Sequence, residues 1–210
     1  MKTKPYVAEN QSKPIQGKNW LPLLRGSLMN RYANFWSENS WINYGEWLAA
    51  PRDPKVFEAI EKIVVRQTGD RIIATLIGAN IICRNNLHVI ISNEFNHKFI
   101  LGVLNSKLTD FYYFQINPER GEVLAEVKKQ HVEQLPIPKN VSDKQQNEII
   151  KLVDQLLQLN KDKQNATLPN QIEMLENRIE FAESKINQIV YELYELNEEE
   201  IAIVEASGKN

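Results

Sequence analysis

Residues 62–77 have the sequence Lys-Ile-Val-Val-Arg-Gln-Thr-Gly-Asp-Arg-Ile-Ile-Ala-Thr-Leu-Ile, and this stretch decides the character of the first part of the chain. Two runs rich in β-branched residues enclose a polar segment that contains a glycine. Runs of this kind favour strands, and Gly and Asp favour the turn between them. We therefore predict a strand over residues 62–66, a turn over 67–70 and a second strand over 71–77.

The sequence that follows adds a strand and a helix. Residues 87–91, Leu-His-Val-Ile-Ile, come after the polar pair Asn85-Asn86 and predict a third strand. Residues 98–114 change to helical period, with one apolar stripe formed by Ile100, Leu101, Leu104, Leu108, Phe111 and Tyr112. Periodicity assigns no structure to residues 122–134. The first part of the chain is thus predicted to mix strands and helix.

The character of the sequence changes at Leu135-Pro-Ile-Pro138, because a Pro-x-Pro pair continues neither a helix nor a central strand. Ser142 and Gln145 then match a capping box at a helix start. Apolar residues recur at spacings of three and four on both sides of a break that contains Asn165, Thr167 and Pro169. They are Ile149, Leu152, Leu156 and Leu159 before it, and Leu168, Ile172, Leu175, Ile179, Ala182, Ile186, Ile189, Leu193 and Leu196 after it.

These spacings average about 3.5 residues, the period of a coiled-coil seam. Two such helices joined by a short polar loop can fold as an antiparallel hairpin. The heptads leave open whether the seams pair within one chain or between the two chains of a homodimer. The prediction is an α+β fold with a tail over 1–17, a mixed α/β domain over 18–140, a long antiparallel, coiled-coil-like helical hairpin over 141–206, and a tail over 207–210.

Composition narrows the class of protein. No apolar run approaches the length of roughly 18 to 20 residues that a membrane span needs, and the N-terminal sequence has no hydrophobic region of a secretory signal. The single cysteine, Cys83, excludes an internal disulfide and is expected to be a small core residue. We expect a cytoplasmic protein without a membrane partner. Residues 1–141 hold 18 Lys and Arg against 13 Asp and Glu, a charge of +5, whereas residues 142–210 hold 7 against 14, a charge of −7.

Motifs of catalysis are missing from the sequence. It has no glycine-rich loop for a nucleotide or for S-adenosylmethionine, and Asn117-Pro118-Glu119 lacks the second proline and the aromatic residue of an amino-methyltransferase loop. His88, His97 and His131 are too scattered to predict a metal site, and His88 is expected to be a hydrogen-bonded structural residue. We predict no catalytic residue, no metal ligand and no cofactor in this chain.

Two alternatives remain beside a binding function. Asp110 with Glu126-Val127-Lys128 imitates, loosely, the carboxylate and lysine pattern of Mg²⁺-dependent nucleases. The other alternative is an assembly scaffold that acts through the coiled coil and has no enzymatic activity.

The remaining basic and polar side chains are of the types that bind a nucleic acid. Arg, Asn and Gln can pair with base edges in the major groove, and lysines and hydroxyls suit phosphates. Candidates at strand ends and turns are Arg66, Gln67, Thr68, Arg71, Arg84, Asn85, Asn86 and His88. Further phosphate candidates are Lys107, Arg120, Lys128 and Lys129.

Several segments of the sequence, taken in order along the chain, also resemble a known family. They are Leu24-Arg25-Gly26, Arg31-Tyr32, Tyr44-Gly-Glu-Trp-Leu-Ala49 with Pro51-Arg52, Lys62-Ile-Val-Val-Arg-Gln-Thr-Gly-Asp-Arg-Ile-Ile-Ala74, Asn86-Leu-His-Val-Ile90, Leu101-Gly-Val-Leu-Asn-Ser-Lys107 with Phe111-Tyr-Tyr113, Val127-Lys-Lys129, and Leu135-Pro-Ile-Pro138. The end of the chain, Val190-Tyr-Glu-Leu-Tyr194 with Glu198-Glu-Glu-Ile201, continues the likeness. Over roughly residues 18–205 the chain resembles the TaqI-like C-terminal specificity domain of combined restriction and adenine-methyltransferase enzymes.

The resemblance implies a target recognition domain followed by a helical spacer, similar to half of a type I specificity subunit. It implies double-stranded DNA as one partner and a DNA methyltransferase or endonuclease domain or subunit as another. S-adenosylmethionine and Mg²⁺ would then belong to that catalytic partner. The chain by itself is not expected to be an enzyme.

Overall fold

A three-stranded antiparallel sheet lies at the centre of the first part of the chain. The computed structural model describes residues 6–14, 20–117, 119 and 121–207. In it, β6 (Glu61–Arg66) lies between β7 (Ala74–Gly78) and β9 (Leu87–Ile90). Ile63, Val64 and Val65 are completely buried, which fits a central strand covered on both faces. The first and third predicted strands are confirmed.

The second predicted strand begins later than the sequence indicates, at Ala74 instead of residue 71. The Arg66 N–H donates to the carbonyl of Ile73, and the carbonyl of Ile72 accepts from the side chain of Arg31. Since carbonyls alternate in direction along a strand, that of Ile72 faces away from β6, toward Arg31. Residues 67–73 thus form a longer connection than the predicted four-residue turn.

A second sheet has four strands in the order β1–β5–β2–β8. Its neighbours are antiparallel except for the parallel pair of β2 and β8. The strands are β1 (Val7–Glu9), β2 (Trp20–Leu24), β5 (Ser40–Asn43) and β8 (Ile82–Cys83). Strand β1 lies within the segment that the sequence predicts to be an N-terminal tail. A short ribbon of β3 (Met29–Asn30) and β4 (Ala33–Asn34), a 3₁₀ turn (Gly26–Leu28) and helix α1 (Lys55–Glu58) complete this part.

The predicted helix over residues 98–114 is two helices, α2 (His97–Leu104) and α3 (Lys107–Ile116). The side chain of Asn105 accepts from the N–H of Ala74 and donates to its carbonyl, both at 3.0 Å, and Ser106 caps α3 by accepting from the N–H of Thr109. The break resets the helical phase, so Tyr113 is buried while Tyr112 is 38% exposed. The single apolar stripe that included Tyr112 was therefore wrong.

Helix α4 (Lys129–Val132) precedes the Pro-x-Pro segment, and the helical part after it contains α5 (Asp143–Asn165), α6 (Pro169–Leu193) and α7 (Glu198–Ser207). The Ser142 cap is confirmed, because its Oγ accepts from the N–H of Gln145. Helices α5 and α6 form the predicted antiparallel hairpin, with the ion pair of Lys163 and Glu176 (2.7 Å) beside the connecting loop. Coiled-coil supercoiling of this pair stays a prediction.

Two residues at the ends of α6 depart from the predicted seam. Leu168 precedes the helix and is largely exposed. Helix α6 ends before Leu196, because Glu195 adopts a positive φ of 55° and the Leu196 N–H donates to the carbonyl of Tyr191. The chain then begins α7, which packs against α3.

One hydrophobic core joins the helical hairpin to the three-stranded sheet. Ile149 and Val153 of α5 and Ile186 of α6 pack with α2, where Gly102 makes room for the methyl groups of these side chains. A Cβ atom on Gly102 would lie 2.5 Å from Cγ2 of Ile149. A second core lies under the four-stranded sheet. The division into domains near residue 140 stays a prediction.

In the described part of the chain, no helix is long and apolar enough to cross a bilayer.

Candidate nucleic-acid interface

The connection after β6 is held in place by backbone hydrogen bonds. The N–H of Gln67 donates to the carbonyl of Asn86 at 3.0 Å, and Gly69 adopts a φ of +122°, a conformation that favours glycine. The Nε–H of Arg66 donates to the carbonyl of Thr68 at 2.9 Å, so the Arg66 side chain folds over the turn. The turn is thus a fixed support for the polar side chains of Gln67 and Thr68.

A second loop, residues 121–127, lies against this turn, and we call it the second loop. The N–H of Gly69 donates to the carbonyl of Ala125 at 2.9 Å, and the N–H of Val127 donates to the carbonyl of Gln67 at 2.6 Å. The side-chain amide of Gln67 donates to a carboxylate oxygen of Glu126 at 3.2 Å. Part of the segment that periodicity left unassigned is therefore a short antiparallel addition to the turn.

The β8–β9 turn brings Arg84, Asn85 and Asn86 to the same edge. It is closed by the N–H of Leu87, which donates to the carbonyl of Arg84 at 3.0 Å. A Cβ atom on Gly26 would lie 3.1 Å from Cγ of Arg66 and 3.2 Å from Nδ2 of Asn86. Gly26 therefore allows the Arg66 and Asn86 side chains to lie beside the end of β2.

Four arginines meet along this edge, and we call Arg25, Arg52, Arg66 and Arg84 the arginine edge. The carboxylate of Glu9 lies 3.2 Å from a terminal nitrogen of Arg25 and 3.3 Å from one of Arg84. A terminal nitrogen of Arg52 donates to the carbonyl of Leu87 at 2.9 Å. The four come from separate segments of the sequence, and guanidinium groups keep their charge at all ordinary pH values.

The structure gathers seven of the predicted nucleic-acid residues at this edge: Arg66, Gln67, Thr68, Arg84, Asn85, Asn86 and His88. The position of the His88 ring agrees with the structural role predicted for it, because its Nε2 atom lies 2.6 Å from the carbonyl oxygen of Val127. Arg120 lies outside the described residues. Binding of DNA by any of these side chains stays a prediction.

Two predicted contacts lie elsewhere. Lys107 begins α3 and forms an ion pair with Glu205 of α7, so it belongs to the corner where α3, α6 and α7 meet. Arg71 lies 3.8 Å from the carboxylate of Asp70 and over the ring of Phe114. Both side chains therefore have local partners that account for their placement.

Lys128 and Lys129 are near the second loop, and each is paired with a carboxylate. Lys128 forms a hydrogen-bonded ion pair with Glu119, which lowers the pKa of Glu119 and raises the pKa of Lys128. Lys129 lies 3.3 Å from Glu133, four residues later on the same helical turn. A phosphate would compete with these carboxylates at both positions.

Asp110, Glu126 and Lys128, which form the nuclease pattern in the sequence, each pair with a different residue in the structure. Asp110 pairs with Arg31, and although the guanidinium opposes it, burial raises the pKa of this carboxyl above its ordinary value. Glu126 accepts from Gln67, and Lys128 pairs with Glu119. Across the described residues, no group of three or more His, Cys, Asp or Glu is placed to hold a metal ion. This arrangement does not support the nuclease alternative.

Cys83 is buried as predicted, and burial raises the pKa of its thiol to about 11. A thiol with such a pKa stays protonated at neutral pH and is a poor nucleophile. Cys83 therefore serves the core under the four-stranded sheet.

Sequence reasoning missed Arg25, Arg52 and Glu9 as members of this edge. Each lies far along the chain from the 66–70 turn, and no spacing rule connects them to it. The one available signal was that Arg25 precedes a glycine and Arg52 follows a proline, in segments already noted for their family likeness.

Comparison with known families gives one match. Residues 21–137, more than half of the chain, match the family model described as the TaqI-like C-terminal specificity domain. The match covers the three-stranded sheet and, apart from β1 and the first residue of β2, the four-stranded sheet, and it ends at the Pro-x-Pro segment. No curated protein matches the chain.

Proposed function

Because the chain belongs to the TaqI-like C-terminal specificity domain family, we propose that it recognises one duplex DNA sequence for an adenine-specific methyltransferase or endonuclease. Membership of this family implies sequence-specific DNA recognition in a restriction–modification system. The catalytic groups, with S-adenosylmethionine and Mg²⁺, would belong to another domain or subunit. The chain itself binds DNA and makes or breaks no bond.

The arginine edge carries the proposal. Four guanidinium groups lie beside the amides of Gln67, Asn85 and Asn86, and this is the combination that duplex recognition needs. Guanidinium groups bind phosphates and guanine, and side-chain amides pair with adenine. Phosphate contacts fix the register of a protein on DNA, while base contacts give specificity.

The contacts within the edge suggest a division of roles. Arg25 and Arg52 are partly buried and tied to Glu9 and to a backbone carbonyl, so we assign them to phosphates. Arg84 is 55% exposed in its side chain and Asn85 is exposed on the same turn, so we assign them to base edges. An exposed side chain on a fixed backbone can enter a groove without rearrangement of the fold.

The helical hairpin is proposed to connect this edge to the catalytic partner. Residues 142–210 carry a charge of −7, so they are a poor ligand for a polyanion. Their acidic surface suits a protein partner instead.

Binding of the chain to a randomised duplex library at two salt concentrations, with sequencing of the bound fraction, tests the proposal. We expect one short motif to be enriched, with affinity that falls as salt rises. Binding without enrichment would contradict base recognition by the isolated chain. No binding at either salt, with or without a catalytic partner, would overturn the proposal and favour the scaffold.

Matched variants separate the edge from the rest of the surface. Arg84→Gln is expected to relax the motif and to cost roughly 1–3 kcal/mol on the preferred site. Lys107→Gln removes the same charge at the α3–α7 corner and is expected to leave both affinity and motif unchanged. Equal effects of the two variants would show that only net charge matters.

A further inference from the structure

The most exposed point of the second loop is an apolar pair, Val123 and Leu124. Val123 is 99% exposed and Leu124 is 86% exposed, whereas Ala125 and Val127, which follow them, are buried. Val123 and Leu124 are the two central residues of a tight turn, in which the N–H of Ala125 donates to the carbonyl of Glu122 at 3.2 Å. We call Val123 and Leu124 the apolar tip.

The apolar tip has a fixed position. The Glu122 N–H donates to the carbonyl of Glu119 on one side, and the bonds of Ala125 and Val127 to the 67–69 turn hold the other side. The Glu119 carboxylate also accepts from the N–H of Glu126 at 3.0 Å. The tip therefore projects from a braced loop, next to the turn that carries Gln67 and Thr68.

The fold does not require apolar residues at this place. Tight turns most often have Gly, Asn, Asp or Pro at their central positions, and a turn without positive φ, as here, accepts most residues, so its conformation does not call for Val or Leu. Nor do Val123 and Leu124 gain burial within the chain, since nearly all of their surface is open to water. An apolar pair exposed on a hydrogen-bonded turn gains free energy from burial only when another molecule covers it.

We propose that the apolar tip contacts thymine methyl groups in the major groove of the recognised duplex. This inference rests on the proposed function and adds a contact type that the polar edge cannot supply. The tip directly precedes Ala125, which bonds to Gly69 of the turn that carries Gln67. Of the carboxylates near the tip, Glu119 pairs with Lys128 and Glu126 accepts from Gln67, whereas Glu122, directly before the tip, is exposed. The C5-methyl of thymine is the one apolar group on a major-groove base edge of unmodified DNA, and apolar side chains pack against it.

Replacement of thymine by deoxyuridine isolates this contact, because it removes the methyl group and leaves the base pair intact. The 210-residue chain is titrated with its selected duplex and with duplexes that carry deoxyuridine at each thymine in turn. We expect a loss of about fourfold in affinity at one or two positions, the value of covering one methylene-sized group.

A double variant then assigns the effect to the tip. Val123→Ser with Leu124→Ser is expected to bind the thymine and deoxyuridine duplexes equally while keeping the selected motif at its other positions. Leu168→Ser removes an exposed apolar side chain at the loop between α5 and α6, and is expected to keep the full discrimination. Circular dichroism of the variants confirms that each is folded, as expected for exposed positions.

The outcomes are distinct. Persistent thymine discrimination in the double variant, a selected site without thymine, or no loss at any deoxyuridine would overturn this inference alone. Failure of the unaltered chain to select any duplex, both alone and with a catalytic partner, would overturn the proposed function and this inference together.

Discussion

The arginine edge and the base of the helical hairpin are stabilised by different interactions. The base is the part of α5 and α6, around Ile149 and Ile186, that packs against α2. At the edge, polar side chains are positioned by hydrogen bonds to backbone groups, as with Arg52 on Leu87 and Arg66 on Thr68. At the base, Ile149 and Ile186 are almost completely buried and touch the sheet side of the molecule through α2. The edge holds charge next to water, whereas the base excludes water.

The difference separates recognition from stability. Changes at the base create voids or clashes, which cost several kcal/mol in closely packed interiors. Changes of exposed polar groups at the edge cost little folding free energy but alter what the surface can bind. Variants of the two regions should therefore differ in which measurement they change.

The largest effect is expected from Gly102→Leu. Its side chain would occupy the space of the Ile149 methyl group, which a mere Cβ atom already approaches to 2.5 Å. Overpacking of this kind costs about 3 kcal/mol, measured as the free energy of unfolding in urea. Combination with Ile149→Ala should recover part of the loss, and strict additivity of the two costs would contradict the contact.

Gly69→Val should affect both properties, because Gly69 supports the edge through its backbone. A β-branched residue at a φ of +122° is strained by about 1–3 kcal/mol, and its relief would shift the bonds to Ala125. We expect lower stability and at least tenfold weaker binding to the selected duplex. The control is Gly78→Val, at an exposed position where a Cβ atom meets only the carbonyl oxygen of Ile60, at an ordinary contact distance of 3.9 Å. Comparable losses in the two variants would argue against a special role for the turn.

Glu9→Gln is expected to change binding with little effect on stability. The Glu9 carboxylate pairs with both Arg25 and Arg84 and would compete with a phosphate for them. Its neutralisation should tighten DNA binding about threefold and make the salt dependence steeper. Glu176→Gln, which releases Lys163 at the far end of the hairpin, is the control. Weaker binding by Glu9→Gln would instead show that the carboxylate positions the arginines.

The smallest effect is a local pH dependence in the second loop. Lys128 lowers the pKa of Glu119, so their contact is fully formed above the ordinary pKa of a glutamate and is lost as pH falls through the lowered value. Carbon NMR titration should show the pKa of Glu119 rising toward its ordinary value in Lys128→Met. Lys129→Met should not change it, and a change there would indicate a general charge effect.

The sequence by itself determined the elements whose signals are local. The β-branched run before Arg66, the Ser142 cap and the break before α6 all depend on residues a few positions apart, and all three are confirmed. The break is shorter than predicted, because Asn165 ends α5 and Pro169 begins α6. The candidate residues of the 66–68 turn and of the 84–86 turn were also predicted from composition. Local propensity and capping require no knowledge of distant neighbours.

Tertiary structure alone decided the rest. The break between α2 and α3 depends on Asn105, whose amide takes both backbone groups of Ala74 from 31 residues away. Arg25 and Arg52 meet Arg66 only because β2 and β9 bring them to one edge. The heptads predicted a buried stripe, and only the packing shows that at the base of the hairpin this stripe also covers α2. A periodic pattern fixes which face of a helix is apolar, whereas its partner is set by contacts between residues far apart in sequence.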